Sequence, residues 1–165
     1  MNKFFIKLLL VSGIGLVLLS CKKNDDPAPS KTPEELAIES LAGESSTTWT
    51  VAGGGQVVRD GRSETNIYQN FEITFSANQN SKTYSVSNGG DLFDSSGNWN
   101  FVASDLTKIT LAGTRPASGP EISHTKPTVN DLVLAFSIVA PGAENKGNQG
   151  AALAGSYRFN LKRKQ

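Results

Sequence analysis

At 165 residues the chain has room for one hydrophobic core of ordinary size, not two. Its 16 Lys and Arg against 15 Asp and Glu, with no long basic run, argue against a nucleic-acid partner. A charged fraction of 19% beside 38% hydrophobic residues keeps it out of the disordered class, and a single Cys excludes an internal disulfide and Cys-based zinc sites.

The first 20 residues form a targeting segment. Lys3 and Lys7 supply a positive start, and Leu8 to Leu19 is an uncharged, mostly apolar run of 12 residues. A membrane span takes about 20 such residues, so the run has the length of a signal-peptide core instead. Without Lys3 and Lys7 the remaining chain carries 14 basic against 15 acidic residues. The segment closes on Leu18-Leu19-Ser20-Cys21. This resembles the lipobox of bacterial lipoproteins, in which small residues precede the cysteine that is modified. The resemblance implies that Cys21 takes a diacylglyceryl thioether, that cleavage occurs before it, and that its new amino group is acylated. Cysteine suits that role through its nucleophilic sulfur. Two or more acyl chains anchor stably where one is marginal, so the implied partner is a membrane and the implied location the outer membrane, on either face.

Residues 21–31 carry charges, Pro27 and Pro29, and no large apolar side chain. They read as a solvated tether spanning roughly 18 Å as a flexible coil. Asp25 and Asp26 resemble the acidic export signals of Bacteroidetes surface lipoproteins, and a hydrophilic spacer accounts for them equally well.

Residues 32–165 form the folded domain. Thr32-Pro33-Glu34-Glu35 is a capping box with Pro at the first helical position, predicting a helix over 33–41 that Gly43 ends. From Thr47 the apolar period becomes two. Eight strands are predicted between Gly-, Asn- and Ser-rich turns: 47–59, 70–76, 82–88, 98–103, 107–112, 120–125, 130–139 and 155–163. Short, evenly spaced strands with one apolar face predict an all-β, antiparallel, eight-stranded meander barrel, or a sandwich of the same strands. The seventh strand is apolar on both faces around Leu132-Val133-Leu134-Ala135-Phe136. Something must cover its outer side, and the expectation is that the helix does.

Lipobox, tether, short helix, a leading Trp strand and eight strands together resemble the lipocalin-like lipoproteins of Bacteroidetes. The stretches carrying the resemblance are 35–43 before Trp49, 70–76, 82–86, 97–101, 107–111 and 130–136. Lipocalins place Gly-x-Trp on the first strand, whereas Gly43 and Trp49 here stand six positions apart. The resemblance also implies a basic residue of the last strand, Arg158, Lys162 or Arg163, packed over that Trp.

Catalytic and metal motifs are weak. Ser123, His124, Asp105 and Asp131 hold the residue types of a hydrolase triad, but His124 shares parity with Ile122 and reads as a strand-face histidine. Gly53-Gly54-Gly55 lacks the Lys-Ser/Thr of a phosphate loop and reads as a turn or bulge. Asp91, Asp94, Ser96 and Asn98 lack calcium-loop spacing and read as turn formers. No cofactor, metal or catalytic residue is expected. The remaining candidate is the barrel interior, which either fills with side chains or holds one small ligand. Trp49, Tyr84, Trp99, Phe101 and Tyr157 are the candidate ligand-binding residues, with Tyr84 and Tyr157 as polar anchors. Pro141 to Gly155 is a candidate mouth loop. Two functions fit this plan: a carrier of a small apolar molecule, and a non-catalytic accessory module that recruits a partner protein at the cell envelope.

Overall fold

In a computed structural model describing residues 30–140 and 152–165, Thr32 caps helix α1 (Pro33–Ala42). The Glu35 amide donates to Thr32 Oγ1 at 3.2 Å, and the Thr32 amide donates to Glu35 Oε2 at 2.6 Å. Gly43 ends the helix with φ 64, its amide donating to the Glu39 carbonyl. Cys21, the signal peptide and residues 141–151 of the mouth loop lie outside the described residues.

The strands are β1 (Ser46–Thr50), β2 (Gln56–Arg59), β3 (Arg62–Ser63), β4 (Glu72–Ala77), β5 (Lys82–Ser87), β6 (Ser96–Val102), β7 (Asp105–Leu111), β8 (Ile122–Thr128), β9 (Asp131–Ile138) and β10 (Gly155–Arg163). Around the sheet they run β1-β4-β5-β6-β7-β8-β9-β10, every pair antiparallel, and β10 returns to β1 with Trp49 opposite Arg163. That closes an eight-stranded meander barrel, as the spacing predicts. The expected first strand, 47–59, is split into β1 and β2, and both halves pair with β10. Between them Gly55 donates to the Val51 carbonyl at 2.8 Å, and a Cβ on Gly55 would stand 2.7 Å from the Asn160 carbonyl oxygen. Gly55 therefore marks a close backbone approach, while Gly53 and Gly54, at φ 81 and 105, shape the turn before it. Asp60 and Gly61, at φ 49 and 78, turn β2 into β3, a short hairpin strand the sequence reading missed. Asp-Gly is the dipeptide that such a turn favours.

Alternation places Trp49, Ile73, Phe75, Trp99, Ile109, Leu111, Leu132, Leu134, Phe159 and Leu161 in the core. On β9 the outward Val133 is only 6% exposed, lying between Thr125 of β8 and Asn160 of β10. The helix does not cover it, contrary to expectation. α1 packs against β1, β4 and β7, with Leu36 left 54% exposed and only Leu41 and Ala42 fully buried. Its apolar surface is concentrated in its last turn, so it stops one end of the barrel instead of lying along a wall. The β4–β5, β6–β7 and β8–β9 turns share that end with α1 and the last residues; the longer connections gather at the other.

Candidate functional site

All five candidate interior residues sit on barrel strands, and each is occupied by its neighbours. Trp49 of β1 donates its indole N–H to the Leu41 carbonyl at 2.9 Å, which ties the stopper helix to the wall. The cation over its ring is Lys126 of β8, Nζ 5.7 Å from the ring centre, while the last strand contributes Arg163 as its cross-strand neighbour. Trp99 of β6 stands edge-on to Phe75 and to Phe101, at 5.7 and 5.4 Å between ring centres. Phe101 is the half-buried member, with Lys82 Nζ 5.9 Å from its ring and His124 at 6.1 Å.

The two expected polar anchors are already used. Tyr84 of β5 donates its hydroxyl to the Ala112 carbonyl at 3.0 Å, and Tyr157 of β10 donates to the Leu153 carbonyl at 2.9 Å. Burial raises the pKa of both hydroxyls, and pushes nearby Tyr68 up to about 12. Trp49, Tyr84, Trp99 and Tyr157 are all within 2% of complete burial. A ligand cavity, open or sealed, leaves bare surface on the side chains that wall it. These residues carry almost none, so side chains occupy the interior beside them.

Two clefts of about 530 Å3 lie outside the barrel. One runs between α1 and the β4–β5 turn, over Ile38 and Ala77, with Lys31–Glu39 and Glu34–Lys82 ion pairs along it. The other lies against Asn130 and residues 162–165. No protein-family model, curated protein or solved structure matches the chain.

The hydrolase-like set is not assembled. Ser123 and His124 occupy opposite faces of β8, and Ser123 Oγ donates to the Ala135 carbonyl. His124 points inward, 8% exposed, with Nε2 3.0 Å from the Leu106 carbonyl. It bridges β7 and β8 where their register has only two facing pairs, Lys108–Ser123 and Ile109–Ile122. Burial holds its pKa below the usual value, with the Leu106 carbonyl and Asp105 opposing that shift. Asp105 is engaged by Thr107, and Asp131 by Lys162 and Thr128. An eight-stranded barrel is an architecture compatible with a lipocalin-like ligand-binding module, but no nucleophile–base pair forms among these four residues.

Two polar clasps escaped the sequence reading. Asp94 accepts from the Thr114 and Arg115 amides, Thr114 Oγ1 and Ser118 Oγ, all within 3.1 Å. Its oxygens face donors, which marks it as a loop anchor and not a cation ligand. Arg59 holds the Ala152 and Ala154 carbonyls and lies over Tyr157, 5.4 Å from the ring centre. Neither clasp has a local sequence signature, since each joins segments remote along the chain.

Proposed function

We propose that the chain is a lipid-anchored protein of the outer membrane, acylated at Cys21 and built on the plan of the lipocalin-like lipoproteins of Bacteroidetes. Its barrel serves as a non-catalytic accessory module that recruits a partner protein in the cell envelope. The observation that favours this over the carrier is the filled interior. Trp49, Tyr84, Trp99 and Tyr157 lie at 0–2% exposure, and both tyrosine hydroxyls are spent on backbone carbonyls. A ligand of ordinary size needs a cavity of roughly 300 Å3 or more.

Two measurements test the halves of this reading separately. Labelled palmitate should enter the wild-type protein and not Cys21→Ser, which should leave the membrane fraction or keep its signal peptide. Equal labelling and fractionation of the two would end the lipoprotein assignment. An apolar fluorescent probe titrated against the delipidated protein should show no saturable binding. Stoichiometric binding that weakens in Trp99→Ala or Phe101→Ala would restore the carrier.

A further inference from the structure

We propose that the β8–β9 turn and residues 162–165 dock this end of the barrel on an anionic lipid bilayer, an inference that rests on the lipid-anchor reading above. Val129 stands at the tip of that turn, 69% exposed, where a polar residue is the ordinary choice. Cationic residues share this end of the barrel with it, the Arg163 guanidinium lying beside Gly43 at the end of α1. The Arg163 amide donates to the Asn130 carbonyl at 2.8 Å, which binds the last strand to the turn. Lys126 of β8, three residues before Val129, holds its ammonium over the Trp49 ring at the same barrel end. Lys162 and Lys164 pair with Asp131 and Glu72, whereas Lys126 and Arg163 form no ion pair among the described residues.

The cleft of about 530 Å3 against Asn130, Lys162, Arg163 and Lys164 has room for a phosphate headgroup. An exposed apolar tip on a barrel end that also carries Lys126, Arg163 and the cleft of residues 162–165 suits the headgroup boundary, where the tip enters the apolar edge and the cations meet phosphates.

Connectivity puts the surface in reach. The tether joins the domain at Lys31, beside α1, at the same barrel end. On the anchor reading the lipid is carried by Cys21, ten residues before Lys31. That is a reach of at most about 36 Å for any conformation. This end therefore stays within range of the bilayer, where local concentration compensates for weak affinity. The end is also asymmetric. Along the α1 flank Glu34, Glu35, Glu39 and Glu44 line the other cleft against Lys31 and Lys82. An anionic surface therefore attracts the β8–β9 flank and repels the α1 flank, tilting the barrel.

The test uses the full-length acylated protein, whose Cys21 sulfur is blocked by lipid, with one added thiol for a fluorophore. Val129→Cys labels the proposed contact and Ile67→Cys the opposite end. Both are placed in phosphatidylethanolamine vesicles with or without phosphatidylglycerol and a headgroup quencher. Quenching should be several-fold stronger at position 129 than at 67, and only with phosphatidylglycerol present. Adding Lys126→Gln and Arg163→Gln should lower the docked population roughly fivefold per cation, with circular dichroism reporting that the barrel still folds. Equal quenching at the two positions, or quenching at 129 indifferent to phosphatidylglycerol, overturns the proposal. Failure of the anchor reads out differently, as protein that floats with neither vesicle, and it overturns this inference too.

Discussion

At the α1 end the barrel is stopped by apolar side chains, Leu41 and Ala42, with one hydrogen bond from the Trp49 indole behind them. At the far end Phe93 enters from the β5–β6 connection and packs against Phe71, Phe136 and Phe159, at 5.1, 5.8 and 5.5 Å between ring centres. Asp94, the next residue, locks that connection to the one between β7 and β8. Arg59 and the Tyr157 hydroxyl hold three successive carbonyls, Ala152 to Ala154. The first closure is a plug and the second a set of latches. A plug needs only volume and apolarity, so it tolerates exchange of its side chains. A latch needs donors and acceptors in position, so it concentrates its energy in single residues.

Truncation at the far aromatic cluster should be the costliest change. Phe159 is fully buried and meets Tyr68, Phe71, Phe93, Phe136 and Tyr157, so Phe159→Ala should lose about 3–5 kcal/mol in urea unfolding. A loss under about 1 kcal/mol would mean a loosely packed interior, and would reopen the carrier reading. Leu41→Ala probes the plug and should cost about 2–4 kcal/mol, with Leu41→Met recovering most of it. If Met rescues nothing, the helix end is as geometrically exacting as the latches.

Asp94→Ala should cost about 1–2 kcal/mol, the partly open site discounting the upper range for charged hydrogen bonds. Burial pulls the Asp94 carboxyl up, but the four donors from Arg115, Thr114 and Ser118 together outweigh it and hold the pKa below the ordinary value. A carboxyl depressed on folding contributes stability above its unfolded pKa and loses it as pH falls through the folded one. The Asp94 contribution should therefore begin to fall as pH drops below about 3.8 and go on falling through the lower folded pKa in wild type, and be absent from Asp94→Ala.

The smallest effect is a slope. Buried His124 has a pKa below 6.5, so the unfolded chain takes its proton first. Stability is then full above pH 6.5 and falls as pH drops from there toward the folded pKa. His124→Gln, which keeps a donor toward the Leu106 carbonyl, should flatten that part of the curve in thermal melts between about pH 5 and pH 7.5. An unchanged slope would place the titration elsewhere.

What the sequence determined by itself is local. A capping box bounded α1 to within one residue, and two-residue alternation located all eight barrel strands, because each signal is written in neighbours a few positions apart. The Gly53–Gly55 run was legible as a turn or bulge, and His124 as a strand-face residue, on the same grounds. Only the tertiary structure decided how those pieces meet. The twofold apolar character of β9 suggested a helix against its outer face, yet Val133 is shielded between Thr125 and Asn160, while α1 buries Leu41 and Ala42 in the barrel end. Lys126 took the place over Trp49 that the last strand was expected to fill. Alternation named the inward aromatics, but whether they enclose space depends on volumes contributed by eight strands at once. Asp94 to Thr114 and Arg59 to Ala152 likewise join segments whose approach no local pattern encodes. Closure of the barrel brings them together, and closure is a property of the whole sheet.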